Sequence, residues 1–222
     1  MPFDFDKIAR SYDSLNRLMT AGLDILWRRR AVRAAIDTAR PLQVLDVAAG
    51  TGDMALSVLR RSKPGTRLTA IDLSEEMLAI ARRKLRGRTA EFLIADAERL
   101  PFPDGSFDLV TVAFGVRNFA HLQQGLDEMR RVLRPGGRFV MLELSAPDNP
   151  LLLALYKLYA CRIIPSVCGL LSRNRKAYEY LPASILRFPK PARLTPMLRA
   201  AGFEAVAHRA FTFGVCRMYV CS

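Results

Sequence analysis

The stretch VLDVAAGTGD, Val44 to Asp53, constrains the fold more than any other: an apolar run carrying an acid passes directly into a small-residue turn with two glycines. A helical segment, MALSVLRRS, follows it, and the unit repeats. RLTAID, AEFLIAD and FDLVTVAF read as further strands, with SEEMLAIARRKL after the first of them and LQQGLDEMRRVL after the last. Strands alternating with helices predict a parallel sheet with crossover helices. Ser74 suits an N-cap, with Glu75 and Glu76 at the positive end of the helix dipole, so Asp72 falls at the carboxyl end of the second strand. RPGG, Arg134 to Gly137, reads as a turn into a fifth strand, RFVMLEL, its glycines supplying positive φ. Residues 12–37 place apolar side chains at helical spacing with a break at Gly22, so two helices precede the first strand. RLTPMLRAAG reads as a last helix, and FEAVAHRAF with TFGVCRMYVCS as an antiparallel pair ending the sheet.

At 222 residues the chain is read as one domain, with residues 1–40 as a helical cap and residues 151–193 as an inserted lid. Half the residues are hydrophobic and a quarter charged, which excludes disordered and collagen-like classes. The start, MPFDFDKIARSYDSL, reads as neither a secretory signal nor an Arg-rich transit peptide, and the expected location is cytoplasmic. Cys161, Cys168, Cys216 and Cys221 form no C-x-x-C pair and only His121 and His208 are present, so buried free thiols and no metal site are expected. Residues 151–222 hold 11 Lys and Arg against 2 Asp and Glu, which is +9 of the net +13. Such a basic region suits nucleic acid, an anionic membrane or an acidic substrate alike. The apolar run from Leu151 to Leu171 contains Lys157, Arg162 and Pro165, which argues against a spanning helix and for a core helix, a lid or an interfacial element.

The glycine turn could hold several ligands. A Walker loop needs G-x-x-x-x-G-K-[ST], and no Lys occurs here before Lys63. Gly50, Gly52 and Ala55 do match G-x-G-x-x-G/A, with Asp72 about 20 residues on as in dinucleotide sites. Asp46, Asp72 and Asp96, near the ends of three successive strands, favour a different ligand, because a ring of acids repels a pyrophosphate and stabilises a sulfonium bearing an α-amino group.

With these features in order, LDVAAGTGD, AIDLS, ADAERLPFPDGSFD and RVLRPGG resemble the successive motifs of class I S-adenosylmethionine-dependent methyltransferases. That resemblance implies an α/β, Rossmann-like fold: a seven-stranded, mostly parallel sheet with an antiparallel C-terminal strand and helices on both faces. YDSLNRLMTAGLDILWRRR, FGVRNF and YEYLPASILRFP narrow the resemblance to the ubiquinone/menaquinone biosynthesis C-methyltransferases over essentially the whole chain. It assigns Gly50, Thr51 and Gly52 to the methionine portion of S-adenosylmethionine, Asp72 to the ribose hydroxyls, and Asp96 with Ala97 to the adenine. Asp46, Leu73, Met77 and Ala113 complete the cofactor-binding set. Ala113 departs from the family, which often carries a hydroxyl residue there. The chemistry agrees: glycine lets backbone approach a ligand, and a carboxylate accepts from a diol or an amine.

The implied acceptor is a polyprenylated quinol. The motifs do not separate naphthoquinol from benzoquinol; demethylmenaquinol is chosen on family analogy, with a polyprenyl benzoquinol or an unrelated small molecule as alternatives. A phenol ionises near roughly pH 10, so a cation beside the acceptor would favour the electron-rich phenolate. Arg117 is the candidate cation, Asn118 its orienting partner, and Tyr12 completes the catalytic set. Asp13, Asn16, Tyr178 and Tyr180 are expected pocket walls. Lys157, Arg162, Arg173, Arg175 and Lys176 are expected to meet an anionic membrane peripherally, at the inner face of the cell membrane. Nucleic acid is not an expected partner, because AFGV stands where amino-methyltransferases of this fold carry Asn/Asp-Pro-Pro-aromatic. A homodimer is kept open.

Overall fold

The computed structural model describes residues 6–36, 39–163 and 175–222. Two helices, α1 (Ala9–Thr20) and α2 (Leu23–Ala35), precede the sheet, and the break between them falls at Ala21 and Gly22, both left-handed. The strands are β1 (Gln43–Val47), β2 (Arg67–Asp72), β3 (Ala90–Ile94), β4 (Phe107–Ala113), β5 (Leu133–Leu144), β6 (Val206–Phe211) and β7 (Cys216–Cys221). The crossover helices are α3 (Asp53–Arg61), α4 (Glu75–Lys84) and α5 (Leu122–Arg131). Ser74 caps α4, its Oγ accepting from Met77 N at 3.1 Å.

The sheet order is β3-β2-β1-β4-β5-β7-β6. Pairs from β3 through β5 are parallel, and β7 runs antiparallel to both β5 and β6. The chain steps outward from β1 in one direction and restarts at β4 in the other, so the topological switch lies between β1 and β4. Ligand crevices of open α/β sheets form at that point, beyond the carboxyl ends of the strands.

Strand alternation divides the core in two. Val44, Leu68, Leu109 and Val140 pack with Trp27, Ala31 and Val32 of α2 on one face. Leu45, Val47, Ile71, Val110 and Phe139 pack on the other, with Leu126 and Met129 of α5 and with Leu194 and Leu198 of a helix spanning Pro191–Ala200. Trp27 Nε1 ties α2 to Thr212 Oγ1 at 3.0 Å.

Three expectations need correction. RPGG is not a turn ahead of β5 but a bulge inside it: Phe107 pairs with Leu133 and Leu109 with Arg138, so the intervening residues of β5 loop out through Gly136 at φ 74°. Cys161 is exposed, whereas Cys216 and Cys221 are buried; Cys168 lies outside the described residues, as do Pro165 and Arg173. In its described part the apolar run does not form a core helix. Its described part is α6 (Pro150–Leu158), continued by a π turn over Tyr159–Ile163, and α6 presents Leu151, Leu155 and Leu158 to solvent at 70%, 56% and 56% exposure. Asn149 caps α6 by accepting from Leu151 N and Leu152 N. A further helix, α7, covers Arg175–Arg187, and the Pro191–Ala200 helix is α8. Among the described residues no helix is long and apolar enough to cross a membrane.

Candidate active site

A cleft of about 330 Å³ opens above the carboxyl ends of β1 to β4, roofed by Tyr12 of α1 and Arg28 of α2. Its floor is built from two left-handed non-glycine residues, Ala48 after β1 (φ 49°) and Phe114 after β4 (φ 62°). Such backbone costs of order 1–3 kcal/mol per residue and persists where its surroundings over-determine it. Here Ala49 N donates to Ile71 O at 2.9 Å and Phe114 N to Leu142 O at 2.8 Å, which fixes both turns to neighbouring strands.

Asp72 ties the loop down. Its Oδ2 accepts from Gly50 N at 2.8 Å and its Oδ1 from Ser74 N at 2.9 Å. Burial pushes its carboxyl above the usual range, against the opposing pull of those backbone N–H groups. Each oxygen keeps a second lone pair, so the side chain can still accept from a vicinal diol. At Gly50, left-handed at φ 56°, an added Cβ would meet nothing within 4 Å, so the backbone there faces open space. Asp96 Oδ1 accepts from Glu98 N at 2.9 Å, and Glu98 holds the His121 ring at 2.8 Å on the same wall. Burial works to raise the Glu98 carboxyl, but His121 and the N–H of Ala120 outweigh it and hold it below the usual range.

Thr51, Leu73, Met77, Ala97, Ala113 and Asn118 line this cleft along with Gly50, Asp72, Asp96 and Tyr12. Gly52, Asp46 and Arg117 do not. Gly52 turns its α-carbon toward α4, where an added Cβ would stand 3.0 Å from Ala81 Cβ, so its lack of a side chain serves helix packing. Asp46 sits inside the sheet, fully buried, accepting from Thr111 Oγ1 at 2.7 Å. It follows the period of Val44 onto the α2 face, two residues short of the floor, which is why it fails to reach the ligand crevice. Burial raises its carboxyl to about 7.

Arg117 also stands off the cleft lining. It lies in a 3₁₀ turn, Val116–Asn118, whose successive side chains diverge: Asn118 enters the cleft wall, while Arg117 turns under it onto Glu143 of β5 at 2.8 Å. The side chains are 4% and 1% exposed, so the expected acceptor cation is one half of a buried pair. Tyr180 Oη donates to Asn118 Oδ1 at 2.9 Å. The side chain of Tyr178 lies outside the described residues.

An ionic cluster stands over the glycine turn. Thr51 Oγ1 donates to Asp13 Oδ1 at 2.6 Å; Lys84 Nζ bridges Asp13 at 2.7 Å and Asp53 at 2.6 Å; Arg17 pairs with Asp24 and Asp53; Arg28 pairs with Asp24. Burial would raise the Asp53 carboxyl, but Arg28, Lys84 and Arg17 together hold it below the usual range. Sequence reasoning missed Arg28 as a cleft residue, although Asp24 and Arg28, four apart on one helix, already marked a paired face. It also missed Glu143, whose signal was a single acid inside an otherwise apolar strand.

The cleft suits a nucleoside with a cationic centre: an accepting carboxylate for a diol, a second acid for an amino-bearing ring, and open backbone between them. Comparison with known proteins agrees. Residues 4–222 match the model of the ubiE/COQ5 methyltransferase family. A demethylmenaquinone methyltransferase of Thermus thermophilus is 49% identical, with 97% of this chain and 98% of that protein covered. A ubiquinone/menaquinone biosynthesis C-methyltransferase of Geobacter sulfurreducens is 45% identical over 97% of this chain and 85% of its own length. Among solved structures, a methyltransferase of Thermotoga maritima described as using S-adenosylmethionine superimposes with a TM-score of 0.70 at 19% identity, covering 98% of this chain and 97% of that one. That likeness concerns the fold.

Proposed function

The chain belongs to the ubiE/COQ5 methyltransferase family, and on that premise we propose that it C-methylates a polyprenylated quinol, with demethylmenaquinol as the acceptor and menaquinol as the product. S-adenosylmethionine is its cofactor. The observation that carries the acceptor is that the family match runs through residues 4–222, well beyond the cofactor-binding half. The name of the Thermus relative favours the naphthoquinol over the benzoquinol.

S-adenosylmethionine supplies a methyl group already activated on a sulfonium, which leaves positioning to the protein. We assign Gly50 and Thr51 to its methionine portion, Asp72 to the ribose, Asp96 and Ala97 to the adenine, and Leu73, Met77 and Ala113 to the surrounding wall. Asn118 and Tyr12 orient the acceptor. With its Oδ1 turned to Tyr180, Asn118 has its amide N–H groups available to an acceptor oxygen. Arg117 then acts at one remove, as a cation behind Asn118 whose position Glu143 sets. The test is incubation with labelled cofactor and each reduced precursor in turn. Label in the naphthoquinol and little in the benzoquinol supports the assignment; the reverse order refutes it.

We read the chain as a single domain in which the described part of residues 1–40 caps the cleft and the described part of the 151–193 segment covers the acceptor. Leu151, Leu155 and Leu158 recur along one face of α6, a surface suited to an isoprenoid tail, and exposed Lys157 and Arg162 follow on the same stretch. Tyr159 Oη donates to Met19 O at 2.9 Å, joining this segment to α1. That arrangement supports peripheral contact with an anionic membrane, each cation contributing on the order of 1 kcal/mol. Co-sedimentation with anionic vesicles should fall with salt, and equal binding to neutral vesicles would refute the contact.

A further inference from the structure

Tyr180 reaches the cleft wall from α7, an element that none of the cofactor contacts uses. Its Oη donates at 2.9 Å to Oδ1 of Asn118, a buried side chain. An amide carries its acceptor and its donors on opposite arms of one plane, so a hydroxyl that holds the oxygen leaves the N–H groups to the other side. Burial raises the Tyr180 phenol above its usual range, against the pull of Arg117 and Arg187, so the hydroxyl keeps its proton and its donor role through the neutral range. Two contacts place α7 between the amide and the apolar helix. It packs on the 3₁₀ turn that carries Asn118, and it packs on the π turn that ends α6, where Ala160 is buried.

We propose that Tyr180 is a positioning residue for the acceptor reaction: it turns the Asn118 amide so that the N–H groups face the acceptor oxygen, and an isoprenoid tail seated on α6 holds α7, and Tyr180 with it, in that place. The proposal rests on the quinol reading of the site and adds to it a route by which a remote tail acts on rate as well as on binding. The physical case is the sign of a dipole. Transfer joins the methyl to a ring carbon, frees the sulfonium as the neutral thioether and releases one proton as the ring regains aromaticity. Negative charge grows on the acceptor oxygen beforehand, and an amide N–H aimed at it stabilises that charge. The amide oxygen, which a half-turn of the side chain would present instead, opposes it. Tail contacts that are complete only when the amide is set belong to the transition state, so they appear in kcat and not in KM alone.

Steady-state rates with two acceptors test this: reduced demethylmenaquinone, and 1,4-naphthohydroquinone, which has the ring and no tail. In wild type the tail should raise kcat by about tenfold or more, beyond its effect on KM. Tyr180→Phe loses one hydroxyl. It should lower kcat for the prenylated acceptor by about tenfold, less than the loss of a donor aimed at the charge itself, and change kcat for the tailless one by less than about threefold. Affinity for S-adenosylmethionine should stay within about threefold of wild type, since its contacts are untouched. Leu151→Gln with Leu155→Gln, on an exposed helix face, should lower kcat for the prenylated acceptor in the wild-type background and much less in Tyr180→Phe, because both changes break one route. Tyr180→Phe losing kcat equally with both acceptors marks a structural role and overturns the proposal. An unchanged kcat, an effect confined to KM, or independent effects of the two sets of substitutions also overturns it. A wild-type protein that binds S-adenosylmethionine and methylates neither acceptor refutes the quinol reading itself, and the role of Tyr180 with it.

Discussion

Arg117 Nη1 donates to Glu143 Oε1 at 2.8 Å beneath the cleft wall that carries Asn118, and Glu143 also accepts from the backbone N–H of Arg117 and of Leu144. A buried pair of this kind is costly to break from one side, at roughly 3–5 kcal/mol, because the remaining charge loses its counter-charge. Arg117→Ala should therefore lower the unfolding midpoint sharply, by thermal denaturation. Glu143→Gln, which keeps the shape, should destabilise less and slow single-turnover methyl transfer while S-adenosylmethionine affinity stays near wild type. Wild-type turnover in a folded Glu143→Gln protein would remove this pair from the mechanism.

Asp72 does two jobs whose losses can be read separately. Asp72→Ala takes away the proposed ribose acceptor and leaves the N–H groups of Gly50 and Ser74 without their present partner. Cofactor binding should weaken by roughly 1.5–3 kcal/mol, the range for a hydrogen bond to a charged group. Calorimetry with S-adenosylhomocysteine measures it, and an unchanged affinity would take Asp72 out of the site.

Asp46 makes stability depend on pH in an identifiable direction. Its carboxyl is raised by burial from 3.8 to about 7, with Thr111 and Arg28 working against the rise and Asp72 adding to it. The folded state thus holds a proton that the unfolded chain releases between those values, so the contribution is full below about pH 4 and is lost as pH climbs through 7. Asp46→Asn removes that dependence. The stability of the variant relative to wild type should rise between about pH 4 and pH 7, by up to a few kcal/mol over those roughly three pH units at about 1.4 kcal/mol each, and level off above. Parallel pH profiles of the two proteins would contradict it.

Gly115 and Gly50 are both cleft glycines, but substitution should fail at them for different reasons. At Gly115 an added Cβ would stand 2.5 Å from Ala48 Cβ, pressing the two floor turns apart. Gly115→Ala should cost about 1–3 kcal/mol in chemical denaturation and weaken the cofactor. Gly50→Ala meets no neighbour within 4 Å and bears only the left-handed backbone, about 1–2 kcal/mol. A Gly115→Ala protein as stable as wild type would show that the floor can yield.

The sheet was readable because its strands are short apolar runs separated by helical periods, and the cofactor loop because its residue types occur at fixed spacing after a strand. What local pattern could not convey was direction. Nothing within FGVRNF says that Asn118 enters the cleft wall while Arg117 turns beneath it; Glu143, distant in sequence and adjacent through β4 and β5, decides that. The looped-out RPGG depends on the register between those same strands. Asp46 is the exception, since alternation already placed it on the same buried face as Val44. Arg28 needed the docking of α2, which brings a helix preceding the sheet to the roof of the cleft.

The central claim is carbon methylation of a quinol, and the most direct measurement locates the transferred methyl. With S-adenosylmethionine carrying an isotopically labelled methyl group and reduced demethylmenaquinone as acceptor, tandem mass spectrometry should find the label on the quinone ring carbon and menaquinone as the oxidised product. Label on a ring oxygen, or cofactor turnover with an unlabelled quinone, would contradict the account.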